Sequence, residues 1–265
     1  MSEHRHLYTS NDFSLNQAHN YTLLVQADAR YFSYAVIFED QLLMWAENYP
    51  LNELKEQQLL GHVLTTNYKQ VVTGLASTGF TLLPNSLLDA NRVADVARLL
   101  DVSDTEKVNV QQLDDDNTLI YKVEGALITA VDYLDNIKLN HTAAGWITAI
   151  ANNSPANSNL YLNISGETVA FLYFKDGKLR FYNTFAFKNK EELAYFCAFV
   201  AGELQLQPVD ITLVISGDIN TADQSFTFLG DFFGQVSLND VQVLDLPQEI
   251  ERHKILSLAA LSLCV

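Results

Sequence analysis

At 265 residues the chain is long enough for one large domain or two modest ones, and an apolar fraction of 48% with 18% charged residues excludes a disordered chain. Lys and Arg number 16 against 32 Asp and Glu, and a net charge of −16, without a Lys/Arg cluster able to override it, argues against nucleic acid as a partner. Two cysteines, Cys197 and Cys264, cannot make a disulfide framework or a zinc site and read as buried or incidental thiols.

The amino terminus, MSEHRHLYTSNDFSLNQ, lacks the apolar core of a secretory signal, and His4 and His6 fall in a stretch expected to be mobile. YTLLVQA (21–27), SYAVIFEDQ (33–41) and LLMWAENYP (42–50) read as three strands joined by tight turns. LNELKEQQLLGHVLTTN (51–67) supplies a helix, QVVTGLAS (70–77) a fourth strand, and FTLLPNSLLDANRVADVARLLDV (80–102) a short strand with a further helix. The run Asp114, Asp115, Asp116 lacks the Gly and distal Glu of a calcium loop and reads as a solvated turn. The six histidines show no metal-ligand spacing beyond His4 and His6 and are expected in solvent.

ANNSPANSN (151–159) is rich in Asn, Ser and Pro and marks the expected boundary: residues 1–150, a linker at 151–159, and residues 160–265. Beyond it, LYLNI, VAFLYF and KLRFYNTFAF read as three strands, the last two joined by the tight turn KDGK. VAFLYF is apolar on both faces, as in a sheet covered on both sides, so the aromatic band from Phe171 to Phe187 is read as core. Leu193, Phe196, Cys197, Val200 and Leu204 share one helical stripe, with Asn189 as N-cap and Glu192 three residues on. ITLVIS is a buried strand, TADQSFTFLGDFFG a helix with Phe226, Leu229 and Phe233 inward, VQVLDLP a last strand, and 249–264 a closing helix.

The first half opens with the same three strands. Lining up Asp40 with Asp176, an offset of 136 (176 minus 40), pairs Leu43 with Leu179 and Trp45 with Phe181 and implies two tandem copies. The element order in each is that of an antiparallel meander leading into parallel strands through right-handed crossovers.

On this two-copy layout, with FTLLPNSLLD after the fourth strand of copy one and VQVLDLPQEIERHKILSLAALSL closing copy two, the chain resembles the actin-like ATPase superfamily, nearest its pilus-assembly branch and an uncharacterised bacterial family within it. The resemblance implies an α/β fold of two ribonuclease-H-like subdomains, each a mixed five-stranded sheet with helices on both faces. Active members hold nucleotide between the copies, using a first-hairpin turn with an Asp for magnesium, then Gly and Ser or Thr for phosphates, because backbone N–H groups cradle oxygens and carboxylates hold a hard cation. Here the first turn, QADARYFS, keeps Asp28 but puts Ala29, Arg30, Tyr31 and Phe32 where a close backbone approach wants Gly and a hydroxyl; the site is expected to be plugged by Arg30, Tyr31 and Phe32 or to be too wide for phosphate. The second turn, NISGETV, has Asn163 in place of Asp but keeps Ser165, Gly166 and Thr168. The adenosine-side strand ends ISGD, with Ser216 and Gly217 kept and Asp218, repulsive to a polyphosphate, where a second Gly belongs.

The expectation is a cytoplasmic, non-catalytic pseudo-ATPase scaffold with no cofactor, no metal and no membrane insertion, holding a protein or peptide partner. The alternative is a nucleotide-dependent switch with ATP and magnesium at Asp28, Asn163, Ser165, Gly166, Thr168, Ser216 and Gly217. A nuclease would need a strand-one carboxylate beside Glu192 and Asp218, and none is present; no G-x-S-x-G turn exists for a seryl nucleophile.

Overall fold

A computed structural model describes residues 5–56, 62–89, 92–132 and 134–264. Contacts gather them into two compact units, Met1–Thr148 with Val243–Pro247 and Leu258–Val265, and Ala149–Gln242 with Gln248–Ser257. The expected second copy runs unbroken to the carboxyl terminus, whereas two of its closing segments pack with unit 1. Packing explains one of them: a Cβ on Gly145 would lie 2.3 Å from the Ala260 carbonyl oxygen, so the backbones of the two segments touch where only glycine fits.

Unit 1 contains β1 (Arg5–Thr9), β2 (Thr22–Ala27), β3 (Tyr31–Phe38), β4 (Gln41–Pro50), α1 (Glu53–Glu56), β5 (Gln70–Leu75), β6 (Gly79–Pro84), α2 (Val93–Ala97), β7 (Glu106–Gln112), β8 (Asn117–Glu124), α3 (Gly125–Val131) and β9 (Ile137–His141), and runs into α4 (Ala143–Asn152). Its main sheet has the order β1-β4-β3-β2-β5-β9, and β6-β8-β7 form a second, three-stranded sheet. The all-apolar core of β2, Leu23, Leu24 and Val25, is fully buried, as a strand covered on both faces requires. Three expectations change here. Arg5–Thr9, in the terminus expected to be mobile, form a strand antiparallel to β4, with Thr9 opposite Met44, while His4 lies outside the described residues. The helix expected over 51–67 is one turn at Glu53–Glu56 and non-helical from 62 on, residues 57–61 lying outside the described ones. The helix after the short strand β6 shrinks to the five residues of α2.

Unit 2 contains β10 (Asn159–Ser165), β11 (Thr168–Lys175), β12 (Lys178–Ala186), α5 (Lys190–Glu203), β13 (Thr212–Gly217), α6 (Gln224–Leu229) and β14 (Gln235–Leu238), in the sheet order β12-β11-β10-β13-β14, and α7 (Arg252–Ala259) begins in it and passes into the segment of unit 1 that starts at Leu258. α5 starts where its cap requires: the Asn189 side chain accepts the Glu192 N–H at 2.8 Å. Leu193, Cys197 and Val200 bury its inner stripe against Leu160, Leu162 and Phe171. The last strand is QVSL at β14, parallel to β13, and not VQVLDLP, whose ladder contact among the described residues is an isolated bridge from Asp245 to Gln41. Leu244 is buried all the same, so its apolar spacing is satisfied by packing rather than by a sheet. The closing helix is likewise shorter than 249–264: α7 gives way to a 3-10 turn at Ala260–Cys264.

The two sheets repeat one ladder. β4-β3-β2-β5-β9 in unit 1 and β12-β11-β10-β13-β14 in unit 2 have the same order and the same parallel or antiparallel senses. Ala27 faces Phe32 as Ile164 faces Val169, and Phe38 faces Gln41 as Lys175 faces Lys178. Both fix an offset of 137 (164 minus 27; 175 minus 38), which corrects the 136 read from matching Asp40 to Asp176. The true counterpart of Asp176 is Glu39, and both take left-handed backbone, at φ 55 and 53.

Candidate functional site

The first hairpin bend of unit 2 is built from the ends of β10 and β13. Ser165 faces Thr168 across the bend, and Gly166 takes φ +55 with open space around the position a Cβ would occupy. β13 ends on Gly217 at φ +90, where a Cβ would lie 1.9 Å from the Ile164 carbonyl oxygen. That close approach lets Asp218 N–H donate to Ile164 O at 2.9 Å and sets the Asp218 carboxylate under the bend, where its Oδ2 accepts the Gly166 N–H at 3.1 Å. One residue back along the same two strands, Asn163 and Ser216 are register partners; Asn163 Oδ1 and Ser216 Oγ are buried with no hydrogen-bond partner among the described residues.

So Asn163, Ser165, Gly166, Thr168, Ser216 and Gly217 do converge. Asp28 belongs to the equivalent bend of unit 1, and the ladders make its counterpart Ser165, while Gln26 is the counterpart of Asn163. Asp28 and Asn163 are therefore not equivalent, as the motif comparison had them. Asp28 Oδ1 accepts the N–H groups of Arg30 (2.6 Å) and Tyr31 (2.8 Å), closing its own turn. The Arg30 guanidinium lies 5.7 Å from the centre of the Tyr31 ring. Phe32 is buried within unit 1 between Tyr34 and Tyr49, at 6.3 and 5.9 Å, and so is core in its own right.

A magnesium polyphosphate fits these groups poorly. Position 163 offers an amide where a dication wants charge, and the Gly166 N–H already has a carboxylate acceptor, an anion that repels a polyphosphate.

Sequence spacing missed a second constellation, because its members are 64 residues apart: Ser77 Oγ lies 3.0 Å from His141 Nε2. It has the look of a nucleophile and base, but the protons run the wrong way. His141 Nδ1 accepts the Ala143 N–H at 3.2 Å, so the ring hydrogen sits on Nε2 and is donated to the serine. Burial, against the rings of Phe80 and Tyr121, lowers the imidazole pKa to about 3. His253 is also buried, with Nε2 at 2.8 Å from Ile219 O, so two histidines expected in solvent are interior; His19 and His62 are exposed.

Glu106 and Lys122 form an ion pair at 3.0 Å on the small sheet. The Ser103 N–H, then the Thr78 hydroxyl and Lys122, hold the Glu106 carboxyl down to about 2, a set of contacts that fastens a loop. Asp114 accepts the N–H groups of Asp116 and Asn117 in the β7–β8 turn. Burial pushes the Cys197 thiol up, away from reactivity. Among the described residues no group of three His, Cys, Asp or Glu could hold a metal ion, and no helix is long and apolar enough to cross a membrane.

The model of one protein family, described as "Protein of unknown function (DUF3822)", matches residues 10–236. The chain belongs to the DUF3822 family. No curated protein matches it. Among solved structures this DUF3822 chain is similar to a Bacteroides thetaiotaomicron protein with actin-like ATPase fold and unknown function, at TM-score 0.80 and 17% identity, over 96% of this chain and 99% of that one. A chain of the PilM–PilN type IV pilus biogenesis complex aligns at TM-score 0.63 and 12% identity, over 92% and 98%. The cytoplasmic domain of EpsL, an inner membrane component of the type II secretion system of Vibrio cholerae, aligns at 0.52 and 12%, over 92% and 95%. At these identities the likeness shows the fold alone: an actin-like ATPase fold, with the two ribonuclease-H-like sheets described above.

Proposed function

We propose that this DUF3822 chain is a non-catalytic, cytoplasmic actin-like scaffold that holds a protein or peptide partner. The observation carrying the reading is the Asp218 carboxylate on the Gly166 N–H: the bend that in an active relative would turn its N–H groups to phosphate turns one to the chain's own anion. Support of a coarser kind comes from the fold neighbours, since PilM and EpsL are each part of a larger protein assembly.

One observation favours a second reading, an ATP-binding switch. Asn163 Oδ1 and Ser216 Oγ are buried without partners just below the bend, an arrangement that costs free energy unless something satisfies it. In that reading Asp28, Asn163, Ser165, Gly166, Thr168, Ser216 and Gly217 attend phosphate and magnesium. Thermal unfolding with millimolar ATP and magnesium separates the two, because a ligand at about a hundred times its Kd stabilises by about 2.7 kcal/mol. The scaffold reading expects no shift and no phosphate release. A shift of that size, or hydrolysis abolished by Asp28→Ala or Ser165→Ala, overturns it.

A further inference from the structure

The duplicated sheets differ at one edge. In unit 1 the outer strand of the repeat, β4, carries β1 along its free side; in unit 2 its counterpart β12 is the last strand, with none beyond it among the described residues. Phe187 N–H donates to Glu167 O, past the end of the β11 ladder, and alternation back from it turns the backbone of Thr184 and Ala186 away from β11. The Thr184 N–H confirms this, being held at 2.8 Å by the side chain of its neighbour Asn183 rather than by a strand.

The flank of this edge is aromatic. Phe181, Phe185 and Phe187 stay half-buried along β12, and the outer face of α5 adds Tyr195 and Phe199, 62% and 44% exposed. These rings form one connected group: Phe185 stacks on Phe196 at 4.7 Å, and Phe199 lies 6.3 Å from Phe185 and 6.2 Å from Tyr195. The same stretch is basic in an acidic protein. Lys175, Lys178, Arg180, Lys188 and Lys190 stand against the single acid Asp176 between positions 175 and 190, while the whole chain has a net charge of −16.

We propose that the β12 edge takes an extended acidic segment of a partner protein as an added strand, antiparallel as β1 is on β4. Its backbone bonds Thr184 and Ala186, a carbonyl of the added strand replacing the Asn183 side chain on the Thr184 N–H, its apolar side chains cover Phe181, Phe185 and the Tyr195–Phe199 pair, and its carboxylates face Arg180 and Lys188. Pairing with a second copy through the same edge is disfavoured, since it sets two basic strands against each other. The proposal rests on the scaffold reading and gives that partner its chemistry and place.

The test uses the full chain and a fluorescent peptide of about ten residues alternating Glu with Val and Phe, beside a twin with Lys for Glu. Thr184→Pro removes an outward N–H at an edge position, where proline is tolerated, and Arg180→Glu reverses an exposed charge. Expected by fluorescence polarisation are binding of the acidic peptide, at least about tenfold weaker binding of its Lys twin, and a loss of about tenfold with either variant at unchanged melting temperature. Should either variant fail to fold, Tyr195→Ser with Phe199→Ser must show the same loss. No binding, equal binding of both peptides, variants that bind like the parent, or a dimer dissolved by Thr184→Pro overturns the proposal. None of these outcomes touches the scaffold reading, which falls instead to an ATP response with β12 binding intact.

Discussion

The two copies close their first hairpin bends by different routes. In the first, the acceptor is inside the bend: Asp28 Oδ1 takes two N–H groups of its own turn. In the second, the bend carries Gly166 and no acid of its own at that position, and Asp218 supplies the acceptor from the end of β13, 52 residues away. The difference teaches that two bends on one ladder tie down different N–H groups: Asp28 holds those of Arg30 and Tyr31, whereas Asp218 holds that of Gly166, whose counterpart in the first bend is Ala29. A carboxylate recruited for that purpose leaves less for a cation or a phosphate, which is why a bend with a phosphate-loop sequence can be purely architectural.

The comparison breaks most visibly at glycine. Gly217→Ala forces a Cβ to within 1.9 Å of Ile164 O at φ +90, and the expected cost is about 3 kcal/mol or more, confined to unit 2. Both tryptophans, Trp45 and Trp146, lie in unit 1. Urea unfolding of the variant should therefore show circular dichroism lost ahead of tryptophan fluorescence, and coincident transitions would refute the assignment. Next in size is an effect of unit 1. His141 has a folded pKa of about 3 against an ordinary value near 6.5, so between those pH values the unfolded state binds the extra proton. Its contribution is complete above pH ~6.5 and is lost as pH falls, roughly 2 kcal/mol between pH 7 and 5, read by tryptophan fluorescence and flattened in His141→Gln. Gly166→Ala meets open space and suffers only the left-handed penalty, about 1 kcal/mol. If it costs as much as Gly217→Ala, close approach is not what makes Gly217 necessary.

How much of this was legible depends on whether the signal was local. The strands of both meanders declared themselves through apolar runs and short turns, the hairpin at KDGK through its Asp-Gly pair, which takes left-handed φ values of 55 and 72, and α5 through its cap and stripe. β7, EKVNVQQ, is largely polar and half-exposed along its length, so nothing in its own sequence marks it; pairing with the buried β8 makes it a strand. β1 is five residues whose only reason to be extended is the edge of β4. The slip of one residue in the repeat came from matching chemistry, Asp with Asp, where backbone conformation matches Glu39 with Asp176. Of the site, the cluster around Gly166 was readable because β10 and β13 bring motif residues together. The grip of Asp218 on the bend and the Ser77–His141 pair were not, since each joins residues more than fifty positions apart.

The smallest effect sharpens the comparison best, because it separates the two bends directly. Asp28→Ala removes an acceptor that holds two N–H groups at 2.6 and 2.8 Å, and the turn has no other side chain to replace it; about 1 kcal/mol of unit 1 stability should go with it. Asp218→Ala removes one longer contact at 3.1 Å from an exposed N–H that water can then satisfy, so a few tenths of a kcal/mol is expected. The second variant matters for what it frees rather than what it costs. With the carboxylate gone, the Gly166 N–H regains the capacity to meet an anion, and a phosphate-induced rise in the melting temperature of Asp218→Ala, absent from the parent protein, would show that the bend is suppressed by its own side chain. No rise in the variant would mean that Gly166 alone, without a second glycine at 218, never forms an anion cradle, and that the bend in unit 2 is as purely structural as its counterpart in unit 1.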